Sequence, residues 1–310
     1  MPDITVFTTT YNRCALLRRL YGSLKRQTAK GFVWLVVDDG STDDTQEWIQ
    51  TLFATGKSEG KAMDDDIYIR YVRKENGGKH TAMKLGFALV DSPYMVEIDD
   101  DDELMPDAVE TFVNEWRKIE EEGKNNIAEI RALSISDEGQ ISASFTPSNL
   151  PATYDSNYFV EDWCKKRHAE NITCWKMSLV RPLDIFDIEK EWLYDRVKLV
   201  SESLFWNRIA KKYNTRYLNR PLRLYHADSG NSITLSVFNQ QKCLNYVFSL
   251  HIIMNEMRRR GWRNPAHFLK YAAEYGYCGK KAGLGIRLLL CHLDGVIQKL
   301  MAVLAYSITR

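Results

Sequence analysis

The chain has 310 residues, 45% hydrophobic and 27% charged, a balance that suits one large globular domain with an appendage. Lys and Arg total 42 against 41 Asp and Glu, so the net charge of +1 argues against the strong basic excess of a nucleic-acid binder. The six cysteines are scattered without a C-x-x-C pair, which excludes an obvious zinc site or disulfide framework and favours a reducing, cytoplasmic setting.

The elements alternate from the start. "ITVFTTT" predicts a strand and Ala15 to Lys25 a helix with a leucine-rich face. "VWLVV" predicts a second strand ending at Asp38, followed by a helix capped by Ser41 or Thr42 with Asp43 and Asp44 in its first turn. "IYIRYV" is a third strand, Thr81 to Val90 a third helix, and "YMVEI" a fourth strand. Pro106 and Asp107 open a helix carrying Val109, Phe112, Val113 and Trp116. Residues 128–145 suggest a strand and hairpin, "SESLFWNRIAKKY" a helix, "PLRLYH" a strand and "HADSGNSIT" a polar loop. Helices are expected over roughly 237–260, 265–277 and 284–307, the last with nine apolar positions from Ile286 to Leu304 at helical spacing. No secretory signal pattern opens the sequence, and no run of about 18 uncharged apolar residues suggests a membrane span. The fold class is therefore α/β: a mostly parallel twisted sheet with helices on both faces, followed by a helical C-terminal region.

In such sheets, ligands bind beyond the carboxyl ends of the strands. The four strands end in "TTTYNR", "DDGSTDD", "KENGGKHTA" and "DDDDE", so the fold would bring these clusters to one rim. Four consecutive aspartates repel one another, and a divalent cation would relieve them; carboxylate oxygens are the hard donors that Mg²⁺ or Mn²⁺ takes beside phosphate oxygens. Gly77 and Gly78 give the third loop backbone freedom before the cation Lys79, Tyr11 offers a ring to stack on a base, and Asp38 or Asp39 can accept from a base or ribose. Together they suggest a pocket for a metal-bound nucleotide diphosphate. Singly, each run is ambiguous: "DDGSTDD" also reads as a helix cap and "DDDDE" as a solvated turn.

In order and spacing, "TTTYNR", "VVDDGSTDDT", "ENGGKHTAMKLG" and "IDDDDELMPDA" resemble the successive signatures of family 2 glycosyltransferases of the GT-A fold. The likeness is clear over about the first 110 residues and weaker to about residue 235. It implies an inverting transferase that moves a sugar from a nucleotide diphosphate, a UDP-sugar, to a hydroxyl of a glycan or lipid-linked glycan, as in capsular, exo- or lipopolysaccharide synthesis. Tyr11 resembles the residue that stacks on uracil, Asp39 the one that reads its edge, and Lys79 a basic residue near the nucleotide. Asp99 falls toward the ribose, Asp101 is the expected Mn²⁺ or Mg²⁺ ligand, and Asp102 completes the D-x-D-D pattern. With them, Thr8, Arg13, Asp38, Asn76 and Asp100 make up the expected nucleotide-sugar site. The family's catalytic "ED" corresponds to Ser201 and Glu202, a departure at both positions that leaves Glu202 as the expected general base. His226 is expected as a later metal or diphosphate contact.

Three other readings compete. A phosphatase of the haloacid dehalogenase type also places D-x-D after an apolar strand, although Glu103 stands where that class has Thr or Val. A sugar nucleotidyltransferase would carry a Gly-rich loop after the first strand, and "TTTYNRC" has no Gly. The altered "ED" also admits a catalytically inactive nucleotide-sugar-binding subunit. Trp163, Trp175, Trp192 and Trp206 are either acceptor-stacking or core residues. The expected division is a catalytic domain over 1–235 and a helical region over 236–310. The basic-flanked helix in 280–310 packs on the core, joins a second copy in a homo-oligomer, or lies peripherally on the inner face of an anionic membrane.

Overall fold

The computed structural model describes residues 2–53, 61–64, 67–141, 143–226 and 239–309. The chain divides into two compact units. Among the described residues, the first holds 2–157, 167–184 and 212–226, and the second holds 158–166, 185–211 and 239–309. The expected polar loop after His226 and the expected boundary at 235/236 lie outside the described residues.

The first unit runs β1 (Ile4–Thr10), α1 (Cys14–Lys25), β2 (Val33–Asp38), α2 (Thr45–Phe53), β3 (Lys61–Asp64), β4 (Ile67–Arg73), α3 (Lys79–Leu89), β5 (Tyr94–Glu97) and β6 (Glu103–Leu104). It continues with α4 (Ala108–Glu121), β7 (Ile127–Ser136), β8 (Thr153–Ser156), β9 (Asn171–Lys176), α5 (Met177–Val180) and β10 (Asn214–Tyr225). The strands form one mixed sheet in the order β3-β4-β2-β1-β5-β9-β7-β10-β6, with β8 also on β10. The segment β4-β2-β1-β5 is parallel throughout. β1 and β2 are buried almost end to end, as strands covered on both faces must be.

The core explains the tight layering. Tyr21 stacks on Trp34 at 5.2 Å on one side of the sheet, and Tyr94 stacks on Trp116 at 5.1 Å. Gly86 lets α3 lie close to β1, since a Cβ there would fall 2.1 Å from the Phe7 ring. β9 is a strand that the alternation of the middle region did not reveal. It enters antiparallel between β5 and β7. β10 begins seven residues before the expected "PLRLYH", because Pro221 interrupts rather than starts it. The register against β7 shifts on both sides of Pro221, as a residue without an N–H requires.

The expected cap of α2 is also corrected. The helix starts at Thr45, and Asp43 serves its first turn: Oδ1 accepts the Thr45 N–H at 3.1 Å and its hydroxyl at 2.6 Å. Ser41 and Thr42 are engaged instead with Asn12.

The second unit holds α6 (Glu202–Ala210), α7 (Gln240–Glu256), α8 (Pro265–Lys281), α9 (Ile286–Cys291) and α10 (Val296–Ile308). Asn239 caps α7 by accepting the Lys242 N–H at 2.8 Å; Asn264 caps α8, with Pro265 at the first helical position. Trp163 packs against Phe159, His267 and Tyr271 in this unit, and Trp175 is core in the first. The single helix expected over 284–307 is two. Asn255 donates to the carbonyl of His292 and accepts the N–H of Asp294, holding the chain turned, and Gly295 precedes the new start.

Candidate active site

Parallel register sets the strand ends level: Thr10 lies beside Asp38, and Asp38 beside Arg73. The loop after β1 turns through Asn12, whose φ of 54° is in the left-handed region that Asn tolerates. Its N–H donates to Ser41 Oγ at 2.9 Å, and its Oδ1 accepts the Thr42 N–H at 2.6 Å, lacing the first loop to the second. Tyr11, next to it, is 47% exposed.

The two aspartates of the second loop organise the rim from below. Asp38 is fully buried, accepting the Ser41 N–H at 2.7 Å and the Tyr71 hydroxyl at 2.6 Å. Asp39 reaches the third loop: Oδ1 accepts from Lys74 at 2.7 Å and from the Gly77 N–H at 3.0 Å, and Oδ2 accepts the Gly78 N–H at 2.8 Å. Asn76 Nδ2 donates to the Asp39 carbonyl at 2.9 Å. Gly78 has φ 96°, and at Gly40 a Cβ would fall 2.9 Å from the Asn76 nitrogen, so both positions require glycine. Thr8 is buried inside β1, where its hydroxyl accepts from the Trp34 indole at 3.3 Å. Thr8 and Asp38 are thus buried beneath the rim.

The acid run leaves β5 with three cations set against its four aspartates. Lys79 Nζ lies 2.7 Å from Asp99, Arg13 Nη1 lies 3.1 Å from Asp100 and 3.0 Å from Asp101, and Arg223 Nη1 lies 3.4 Å from Asp102. Arg19 donates to the Asp101 carbonyl. Asp100 points inward, accepting the Thr10 hydroxyl at 2.7 Å. Ligand oxygens of Asp99, Asp101 and Asp102 lie within 4.8 Å of one another. Three carboxylates converging at a strand end, with cations set around them, is the donor set that suits a hard divalent ion, so these residues fit an Mg²⁺ or Mn²⁺ site.

The electrostatics differ along the run. Burial pushes the Asp102 carboxyl up to about 7, with Asp99 and Asp101 adding to the rise and Arg223 opposing it. Burial likewise pushes Asp100 up to about 6 against Arg13 and Thr10. Asp99 goes the other way: burial disfavours its charge, but Lys79, Arg223 and Arg13 together hold it below the ordinary range. Burial also works against the Arg13 charge, and the surrounding carboxylates more than restore it.

β6 pairs with β10, Leu104 opposite Arg223, and so carries the end of β10 against the acid run. The His226 N–H donates to Asp102 at 3.3 Å. Its ring lies between two carboxylates: Nδ1 is 2.8 Å from Asp137 and Nε2 is 3.0 Å from Glu103. Among the described residues the three-oxygen cluster is made by Asp99, Asp101 and Asp102, without His226.

Glu202 opens α6 in the second unit, half-buried. Ser201 before it donates its N–H to Ser249 at 3.0 Å, and Arg208 at the far end grips Glu256 at 2.7 Å and the carbonyls of Ile185 and Asp187. Residues that sequence reasoning missed are Thr10, Asn12, Tyr71, Lys74 and Arg223. Their signal was present for Lys74, inside "KENGGK", and for Asn12, inside "TTTYNR". Arg223 needed the β6–β10 pairing.

Residues 5–136 match the Glycosyl transferase family 2 model. Over this stretch the chain carries a family 2 glycosyltransferase domain. Across 289 residues, 90% of this chain and 84% of the relative, the transferase is 25% identical to the GalNAc(5)-diNAcBac-PP-undecaprenol beta-1,3-glucosyltransferase of Campylobacter jejuni. Its fold is that of S. aureus TarS, solved in complex with UDP-GlcNAc: TM-score 0.59, 13% identity, 99% of this chain and 88% of that one. The mannosyltransferase PcManGT from Pyrobaculum calidifontis, solved with GDP-Man and Mn²⁺, matches at TM-score 0.53 and 15% identity, over 98% of this chain and 79% of that one. The GT-A fold is thereby shown, and the phosphatase alternative is not favoured.

Proposed function

We propose that the transferase moves a sugar from a UDP-sugar to a hydroxyl of a lipid-linked glycan, with inversion, in the assembly of a bacterial surface polysaccharide. The observation that carries this reading is the convergence of Asp99, Asp101 and Asp102 at the carboxyl end of β5, on the rim that also bears exposed Tyr11. The UDP donor is supported by the donor complex of the structural neighbour, and the lipid-linked acceptor by the name of the Campylobacter relative.

Asp101, flanked by Asp99 and Asp102, would hold Mn²⁺ or Mg²⁺. When bound, such a cation offsets the charge that grows on the departing diphosphate. Tyr11 stacks on the uracil. Asp39 fixes the loop of Lys74 to Gly78 and so aims Lys79. Arg13 and Lys79, now spent on the acid run, turn part of their donor capacity to diphosphate oxygens once that run is otherwise neutralised. Glu202 takes the proton of the acceptor hydroxyl as its oxygen attacks the anomeric carbon from the face opposite UDP. The new C–O bond forms, the bond to UDP breaks, and its electron pair leaves with the diphosphate. An α-linked donor then gives a β-linked product, and the acceptor places this work at the inner face of the membrane.

The test is product analysis. UDP-sugars are incubated with polyprenyl-diphosphate glycans, and the new linkage is read by NMR. A β-anomer is expected; an α-anomer from an α-linked donor would remove the single-displacement mechanism.

A further inference from the structure

α10 carries its large side chains on the wrong face for a helix packed in a soluble protein. Val296, Leu300 and Ile308 are 71%, 65% and 73% exposed, and Ile297, Val303 and Leu304 are exposed beside them. At 3.6 residues per turn these six positions share an arc about 140° wide. The opposite arc holds Gln298, Ala302 and Ala305, all buried. α10 approaches α8 closely at Ala302. A Cβ on Gly276 of α8 would fall 2.1 Å from the Ala302 carbonyl oxygen, so that contact is already closed. A surface helix ordinarily turns such an apolar stripe inward, and a contiguous exposed patch of this kind marks an interaction site.

Charge decides between the occupants. From Tyr275 to Thr309 the sole acid is Asp294, against Lys280, Lys281, Arg287 and Lys299. Lys299 borders the apolar arc, and on α9 both Arg287 and Leu288 are exposed. An apolar face rimmed by cations complements an anionic lipid surface; a second copy would set the same cations against one another. α10 has 13 residues, about 20 Å of helix against a hydrocarbon core of about 30 Å. Among the described residues, no helix is long and apolar enough to cross a membrane. The helix therefore fits the plane of the interface.

We infer that α10 beds its outward face in the boundary between headgroups and acyl chains of an anionic bilayer, with Lys299 and Arg287 toward lipid phosphates. This deepens the lipid-linked acceptor reading and rests on it for its purpose: the helix would hold the enzyme where the acceptor lies.

The experiment is sedimentation of the full chain with vesicles of phosphatidylethanolamine and phosphatidylglycerol, and with phosphatidylcholine alone, at low salt. The parent chain should sediment with the anionic vesicles. Ile297→Glu, Leu300→Glu and Leu304→Glu together should lower partitioning on the order of 100-fold, with circular dichroism and UDP release in solution unchanged. A second variant, Arg287→Glu with Lys299→Glu, should lose on the order of tenfold on anionic vesicles only. The inference is overturned if the parent stays in the supernatant, if the triple variant sediments like the parent, or if the parent is a non-sedimenting dimer that the triple variant makes monomeric. Vesicle binding without UDP release would sink the transfer reading and leave the docking face standing; UDP release without vesicle binding would do the reverse.

Discussion

The carboxylate of Asp39 accepts the backbone N–H of Gly78 at 2.8 Å, joining residues 39 positions apart in sequence. Gly77 and Lys74 donate to the same carboxylate, so one side chain sets the shape of the loop that presents Lys79. The second loop of the rim thus builds the third.

Asp39→Ala should therefore cost about 2–3 kcal/mol, since it strands two part-buried backbone N–H groups and an ammonium. Urea denaturation measures that loss. Donor affinity should fall with it, because Lys79 is no longer aimed. An unchanged midpoint with unchanged UDP affinity would mean that the loop holds its form without Asp39.

Asp101 is the acid whose removal tests the cluster most cleanly. Its side chain is mostly covered and, among the described residues, pairs with Arg13, which keeps Asp100. Asp101→Ala should leave the melting temperature within a few degrees of the parent. Turnover should drop at least about 10²-fold, and added Mn²⁺ should no longer raise UDP release.

Glu202→Gln keeps the size of the side chain and removes its basicity. A fall of about 10²–10⁴-fold in kcat is expected, with donor affinity by calorimetry unchanged. Loss of donor binding at a preserved rate would take Glu202 out of the proton-transfer role and reopen the reading of an inactive binding subunit.

Two glycines make a paired prediction about packing. Gly276→Ala drives a methyl into the Ala302 carbonyl and should cost about 1–3 kcal/mol, seen as a lower Tm. Gly22, inside α1, faces only the Arg26 guanidinium at 3.5 Å. Gly22→Ala should stabilise by up to about 1 kcal/mol through helix propensity.

The first half of the sheet was legible because its strands are short apolar runs closed by polar loops, and because parallel register then fixes which ends meet. That is why the sequence alone sets "DDDDE" and "TTTYNR" on one rim. β9 was not legible: "NITCWK" lacks turn signals at its ends, and its antiparallel entry depends on partners far away in sequence. The break between α9 and α10 hides inside an unbroken apolar period, because the Asn255 clamp comes from another helix. The partners of His226 were not legible either, since Glu103 and Asp137 meet its ring from positions 123 and 89 residues away in sequence. The stripe of α10 is amphipathic in its sequence period, but period alone does not say which face is covered; Gly276 and Ala302 decide that.

UDP release from a panel of UDP-sugars by the purified chain, with Mn²⁺ or Mg²⁺ and with EDTA, addresses the rim directly. The account predicts release from at least one UDP-sugar that requires the metal, stops in EDTA and is lost in Asp101→Ala. Release that persists undiminished in EDTA and in Asp101→Ala would contradict it.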